Sequence, residues 1–551
     1  MRLKFRILKH VYPLTPRRPD WGWLGASSDW RDRKARAQGG VKVLVATNTG
    51  ANWPCSGFDG LLGVALTLAG AEVRYLLCDG ALPACQECDH QWISPAKLAK
   101  SGPQAGLCGT CFAPARAMLA GQGLPIETLG AYADAPPVAD ADFADLDEHA
   151  RAGVLRYFGT GDVAPDEPHA ARICGRYRAA SDMTRRAAER LLDAFDPDVV
   201  VAHHGIYVPQ GAVVEAARAR GKRVVAWGPS YRRGTVLFSH GGSYHYTMPE
   251  ETADDYDDFD FDADKREKIA RYLESRPTGR NDWISFNRHD GEAAIFADGE
   301  REGYEKIVGL FTNVIWDAQL HFKSAAFATM LEWLFHSVDY YIERPDTCLV
   351  IRVHPAEVYG MVPSRQPVAE ALARRYGELP DNIKIVPPDA AISSYRLAGD
   401  MDCALVFGTK MALELACLGI PVIVAGESWV RGKGFTIDVE TPAQYAEALD
   451  SVPALPPLSQ EARLKAHRYA YHLFFRRMIE VSLLHPPRFG GVYEIHADTL
   501  EAIEDCAGLT GIARSIIDDR PFIHDSESAL EGGGGDVGKS RLARLYQRFQ
   551  Q

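Results

Sequence analysis

The feature that most limits the fold of this chain is a set of short β-branched runs, each ending in a loop and followed by a helical pattern. VKVLVA begins at Val41; its loop TNTGANWP leads into an amphipathic stretch over 58–69 and then a second run, EVRYLLCD. Strand-sized apolar runs alternating with 3.6-period segments make β-α-β units, whose strands are parallel and buried on both faces. The unit recurs as DVVVAHHG, a helical pattern near 210–220, and RVVAWG, so residues 41–250 are expected to form one doubly wound α/β domain. A second series opens near Lys306 with IVGLFTN, CLVIRVHP, NIKIVPP, CALVFGT and PVIVAG, and helical patterns at 325–338, 368–376, 392–398 and 411–418 lie between them. It sets a second domain at 301–455. Around these lie a basic N-terminal segment (1–40), an acidic linker region (251–300), a helical segment (456–525) and a Gly-rich flexible tail with a short basic helix (526–551).

Length agrees with this division, since 551 residues at roughly 150 per domain allow two to four domains. An apolar fraction of 46% and a charged fraction of 24% exclude fibrous and wholly disordered classes. With 61 Lys and Arg against 73 Asp and Glu the net charge is −12, which argues against a nucleic-acid partner. The charge is uneven: residues 1–40 carry ten bases against three acids, while 250–264 carries nine acids and no base. That acidic run reads as a solvated linker, with recognition of a basic partner the minority reading. No secretory signal precedes Val41, and no apolar run approaches the ~20 residues that span a bilayer. A cytoplasmic location is expected.

GGGDVGKS, over 533–540, matches a phosphate-binding P-loop by letter, but no strand precedes it and only eleven residues follow. It reads as a flexible glycine linker. The terminal SRLARLYQRFQQ, with the basic N-terminus, suits peripheral attachment to an anionic inner-membrane surface, although a frayed, solvated tail is the simpler reading.

The chain has eleven cysteines, and four of them form two knuckles, Cys85-x2-Cys88 and Cys108-x2-Cys111, with Cys78 and His90 nearby. Each knuckle sets two thiolates on a tight turn, and the pair makes a tetrahedral all-thiolate site for structural zinc. An iron–sulfur cluster and reduced thiols without metal are the alternatives. Four thiolates leave no open coordination position, so a metal here would brace an insertion in the first domain.

Chemistry is expected where strands end. In the second domain CLVIRV ends at His354 and Pro355, and CALVF ends at Gly408, Thr409 and Lys410, just before the helical stretch MALELACLG. Small residues at a helix start leave backbone amides for a phosphate, and Glu414, five residues beyond Thr409, is placed to take both hydroxyls of a ribose. The loop GESWVRGKGFT brings Arg431 and Lys433 between glycines that let a ligand approach closely. For each of these residues an ordinary structural role is the competing reading. In the first domain Asp59, His203 and His204 lie at the loops after the first and third strands and are candidates for a general base.

VHPAE, GTKMALELACLGIPVIVAG and above all GESWVRGKGFT resemble the capsule polysaccharide biosynthesis proteins, glycosyltransferases of GT-B-like layout that include Kdo transferases. The resemblance covers roughly 309–441. It implies a GT-B-like fold, two Rossmann-like doubly wound domains facing a cleft, here with a Cys-rich insertion in the first. It further implies a nucleotide-sugar donor, CMP- or UDP-linked, with His354 and Pro355 at its phosphate, Gly408 and Thr409 binding phosphate, Glu414 on the ribose, and Arg431 and Lys433 lining the donor cleft. Lys410 belongs to the same turn. The expected activity is transfer of a sugar onto a surface-polysaccharide or lipid-linked glycan acceptor. With cations at the phosphate and no DxD-type motif at a strand end, the donor site is expected to work without a metal. A nucleotide-sugar epimerase of the same layout and a non-catalytic scaffold of an envelope assembly complex are the rival readings.

Overall fold

The β-branched runs form the strands of two separate sheets in the computed structural model, which describes residues 18–104, 106–134, 137–285, 294–318, 325–487 and 492–524. The P-loop-like string, the tail helix and the first seventeen residues lie outside the described residues, and with them the reading of membrane attachment. The chain divides into two compact units; the first comprises 1–157, 163–244 and 477–526, and the second comprises 158–162, 245–476 and 527–551.

In the first unit the strands are Lys42–Asn48 (β1), Glu72–Leu77 (β2), Ile126–Thr128 (β3), Val199–His203 (β4), Arg223–Pro229 (β5) and Thr235–His240 (β6), joined by Met478–Glu480 from the returning chain. The sheet order is Met478–Glu480, β6, β5, β4, β1, β2, β3. β1 through β5 are parallel, Val43 pairing with both Val73 and Val199, whereas β6 runs antiparallel to β5 on one side and to Met478–Glu480 on the other. Three helices matter below: α1 (Trp53–Leu68), α2 (Cys108–Ala120) and α3 (Gln210–Ala219). α1 is apolar nearly all round and almost wholly buried, as a helix enclosed in a core must be. It lies close on β2 because position 63 is glycine; a Cβ there would come 1.8 Å from the Tyr75 hydroxyl.

The second unit has the strands Lys306–Phe311 (β7), Thr347–Arg352 (β8), Ile383–Val386 (β9), Cys403–Val406 (β10), Val422–Val424 (β11) and Ile437–Asp438 (β12), in the order β12, β11, β10, β7, β8, β9 and parallel throughout. Its helices include α4 (Ala263–Ser275), α5 (Ser394–Ala398), α6 (Met411–Cys417) and α7 (Gln460–Tyr471). Both units are thus doubly wound α/β. In each, the first strand has its successor on one side and a later strand on the other. The loops leaving the carboxyl ends of β1 and β4, and of β7 and β10, diverge there, and such topological switch points are where open α/β sheets bind ligands.

Two stretches differ from the sequence reading. Besides its helices, 456–525 carries Met478–Glu480 and the two-stranded pair Leu484–His485 with Glu494–Ile495. The acidic run is docked on basic groups of its own unit: Arg468 Nε lies 2.6 Å from Asp257, Arg476 Nη1 donates to Asp258 at 2.8 Å, and His472 Nε2 is 3.3 Å from Glu251. The partner for those acids is helix α7 and its continuation. Among the described residues no helix is long and apolar enough to cross a membrane.

Candidate functional site

At the switch point of the second unit, β8 runs into His354, whose backbone N–H donates to Thr312 Oγ1 at 3.0 Å in the loop after β7. Pro355 turns the chain into a short helix, Ala356–Tyr359, and the Ala356 N–H donates to His354 Nδ1 at 3.0 Å. That bond places the proton of the neutral ring on Nε2. Burial, then Lys410 and Arg352, hold the His354 pKa down to about 4, so at neutral pH the ring is an uncharged donor in a positive field. Arg352 is itself buried, its Nη1 donating to the Pro387 carbonyl.

After β10 comes Gly408. A Cβ there would lie 2.8 Å from the Glu427 carbonyl, so only glycine keeps this turn so close to the loop after β11, and 3.5 Å from Asn313 Nδ2 in the loop after β7. Thr409 Oγ1 accepts from the Met411 N–H at 3.3 Å. Lys410, with its side chain 17% exposed, reaches Glu414 Oε1 at 2.8 Å. Glu414 is expected from sequence to take ribose hydroxyls, but the structure gives both of its oxygens to protein donors. Lys410 and Arg276 Nη2 (3.2 Å) donate to Oε1, and the Tyr395 hydroxyl on α5 donates to Oε2. Arg276, just beyond α4, also pairs with Asp282, which accepts from Tyr272 at 2.6 Å. Burial would raise the Glu414 pKa, yet Arg276 and Lys410 outweigh it and hold the carboxylate at about 2. A carboxylate 1% exposed and so engaged is the counter-charge of Lys410. It is not a free ribose ligand.

The two cations of the 427–436 loop, expected at the donor, are turned inward. Arg431 Nη1 donates to the carbonyls of Val424, Gly426 and Val439 at 3.1–3.3 Å, closing the loop on β11. Lys433 donates to the carbonyls of Pro249 (3.1 Å) and Glu251, and its ammonium lies 5.6 Å from the rings of Tyr256 and Tyr469. Both are under one-tenth exposed. The charges of Arg431 and Lys433 answer backbone carbonyls of the same unit.

In the first unit Asp59, His203 and His204 come together at the β1/β4 switch point. Asp59 Oδ1 accepts from the Trp227 indole at 2.8 Å, while Oδ2 is buried and, among the described residues, lacks a well-aligned hydrogen bond. Burial pushes its pKa up to about 7, against hydrogen bonding from Thr47 and Trp227. His203 Nε2 contacts the Cys55 thiol at 3.1 Å, and burial pushes its pKa down to about 3. His204 Nδ1 pairs with the Tyr244 hydroxyl at 2.7 Å. The loop that begins here holds positive φ at His204 (58°), Gly205 (69°) and Tyr207 (63°). For the two non-glycine residues this is an uncommon conformation, of the kind that gathers at ligand sites.

The cysteine knuckles lie in the β2–β3 connection and close over this switch point. Gln86 N–H donates to the Val208 carbonyl at 2.8 Å, Thr49 Oγ1 donates to Glu87 at 2.8 Å, and the Gly50 N–H donates to Cys111 Sγ at 3.2 Å. Among the described residues no group of three or more His, Cys, Asp or Glu side chains is arranged to hold a metal ion. Burial pushes the Cys108 thiol up to about 12, and Cys111 Sγ, on the first turn of α2, accepts from the Gly50 N–H. The zinc and the iron–sulfur cluster expected for Cys85, Cys88, Cys108 and Cys111 are therefore not supported.

The chain is similar to solved Kdo transferases. The KpsC β-Kdo 2,4-transferase of Thermosulfurimonas dismutans is 14% identical, with 52% of this chain and 82% of that chain covered and a TM-score of 0.33. The KpsC β-Kdo 2,7-transferase of the same organism is 17% identical, with 60% and 90% covered and a TM-score of 0.34. A UDP-GlcNAc 2-epimerase from Neisseria meningitidis, solved with UDP-GlcNAc, is 11% identical, with 78% and 95% covered and a TM-score of 0.25. No protein-family model and no curated protein matches the sequence.

Four residues of these sites escaped the sequence reading. Arg352 ends a strand run and reads as core, Arg276 comes from outside the β/α series, Asn313 is one polar residue after IVGLFT, and Glu87 is hidden between two cysteines. A rule that inspects the residues following every central strand would have found Asn313 alone.

Proposed function

We propose that the protein is a glycosyltransferase that moves a sugar from a nucleotide-sugar donor onto a hydroxyl of a surface-polysaccharide or lipid-linked glycan acceptor. The observation that carries this reading is neutral His354 at a switch point, with its proton on Nε2 and the Lys410 and Arg352 cations acting on it. Negative charge developing on a departing phosphate would meet an N–H donor and two fixed cations in a partly dehydrated setting, where such groups act most strongly. In the first unit Asp59 suits the acceptor's proton: its pKa of about 7 matches a base working near neutrality, and Oδ2 lacks a well-aligned hydrogen bond among the described residues. The donor is a CMP- or UDP-linked sugar.

The test is a panel of CMP-, UDP- and GDP-sugars incubated with and without a lipid-linked glycan extract. A transferase releases nucleotide and forms product only when both substrates are present, and His354→Ala lowers the rate by about 10²–10³-fold, the usual loss when one transition-state donor is removed. Conversion of a nucleotide sugar without acceptor would contradict the assignment and favour an epimerase.

A further inference from the structure

If the second unit holds a nucleotide, its ribose and base need hydrogen-bond acceptors, and Glu414 is taken by Arg276, Lys410 and Tyr395. The loop after β7 offers another. Asn313 follows the central strand, its N–H is 3.1 Å from Met330 Sδ, and its side-chain nitrogen faces the Cα of Gly408 across the switch point. Its Oδ1 is buried and has no hydrogen-bond partner among the described residues. Buried amide oxygens are nearly always satisfied, and an orphan in a native fold calls for a ligand or water to complete it.

We propose that Asn313 Oδ1 accepts a hydrogen bond from the nucleoside of the donor, a ribose hydroxyl in the first instance, and so selects ribonucleotides in the role the sequence suggested for Glu414. This rests on the donor-nucleotide reading of the second unit. The site takes a hydroxyl or amino donor adjacent to a phosphate held by His354 and Lys410. Two sources share that chemistry, a ribose hydroxyl and the exocyclic amino group of cytosine or guanine, and the probes separate them.

Isothermal titration calorimetry on the full chain tests the assignment with CMP, UMP and GMP and with the 2′- and 3′-deoxy form of the tightest binder. The wild type is expected to bind the ribonucleotide at least about tenfold more tightly than one of its deoxy forms, the scale of one buried hydrogen bond. Asn313→Ala should bring the ribonucleotide down to the affinity of that deoxy form and leave the deoxy affinity unchanged, a pattern that general loosening of the fold would not produce. Asn313→Asp, which keeps the acceptor, should retain the discrimination. If Asn313→Ala instead erases a preference for CMP over UMP, the same oxygen reads the base and the assignment stands with that source. Discrimination unchanged in Asn313→Ala, with nucleotides still bound, overturns the role of Asn313 alone. Failure of the wild type to bind any of the nucleotides overturns the donor reading and this inference together.

Discussion

Glu414→Gln is expected to lower stability by about 3–5 kcal/mol, the range seen when one partner of a buried ion pair is removed and its opposite charge is stranded. The substitution keeps size and shape. It leaves Lys410 and Arg276 facing an amide, with Asp282 still paired to Arg276. The pH dependence gives an independent figure. Glu414 has a folded pKa of about 2 against an ordinary 4.5. A depressed carboxylate contributes stability that is present above the unfolded value and lost as pH falls through the folded one, here between about pH 4.5 and 2. At 1.36 kcal/mol per unit the contribution is about 3 kcal/mol, which agrees with the mutational range. Calorimetric melting from pH 7 to pH 3 should therefore show the variant less stable at pH 7 and the gap narrowing as pH falls. An unchanged melting temperature at pH 7 would mean that the network contributes nothing.

Asp59 should behave in the opposite way. Its folded pKa of about 7 lies above the ordinary 3.8, so its contribution is greatest below about pH 3.8 and is lost as pH rises to about 7. Holding the group protonated against solution, and then ionising it unpaired, costs about 4 kcal/mol above pH 7. Asp59→Asn removes the ionisation, can still accept from the Trp227 indole, and offers an N–H where Oδ2 lacked a well-aligned hydrogen bond among the described residues. The variant should be more stable than the wild type at pH 8, by up to about 4 kcal/mol, and indistinguishable from it at pH 3.5. It should also be inactive as a transferase if Asp59 takes the acceptor's proton. Gained stability with lost turnover marks a group kept for chemistry at the expense of the fold. Equal stability at pH 8 would show that the carboxylate is not buried in an unfavourable state.

The sheets were legible because their cause is local: β-branched runs such as DVVVA and CLVIRV can only be buried strands, and their spacing forces parallel crossovers. The strand ends were legible for the same reason, so His354, Gly408 and Lys410 fall at one switch point, as do Asp59, His203 and His204 at the other. What the local pattern did not reveal was the protein partners that several of these charges take up. Arg431 and Lys433 read as phosphate ligands because their loop is basic and glycine-rich, yet carbonyls and an acidic stretch more than 170 residues upstream claim them. Glu414 read as a ribose ligand because nothing near it in sequence announces Arg276, 138 residues away. The cysteine spacing is compatible with a metal, but no group of three or more His, Cys, Asp or Glu side chains among the described residues is arranged to hold one. Pairing across such distances is set by topology, which a local pattern does not encode.

In the proposed transferase, the switch point of the second unit seats a nucleotide phosphate on His354 and Lys410. Thermal shift of the wild type, His354→Ala and Lys410→Met with CMP, UDP and GDP tests it most directly, since a ligand bound only by the folded state at a hundred times its dissociation constant adds about 2.7 kcal/mol. The account predicts that one nucleotide raises the wild-type melting temperature and that each substitution reduces or abolishes the rise while the unliganded protein still melts cooperatively. No rise with any of the three, or an equal rise in all three proteins, would contradict it.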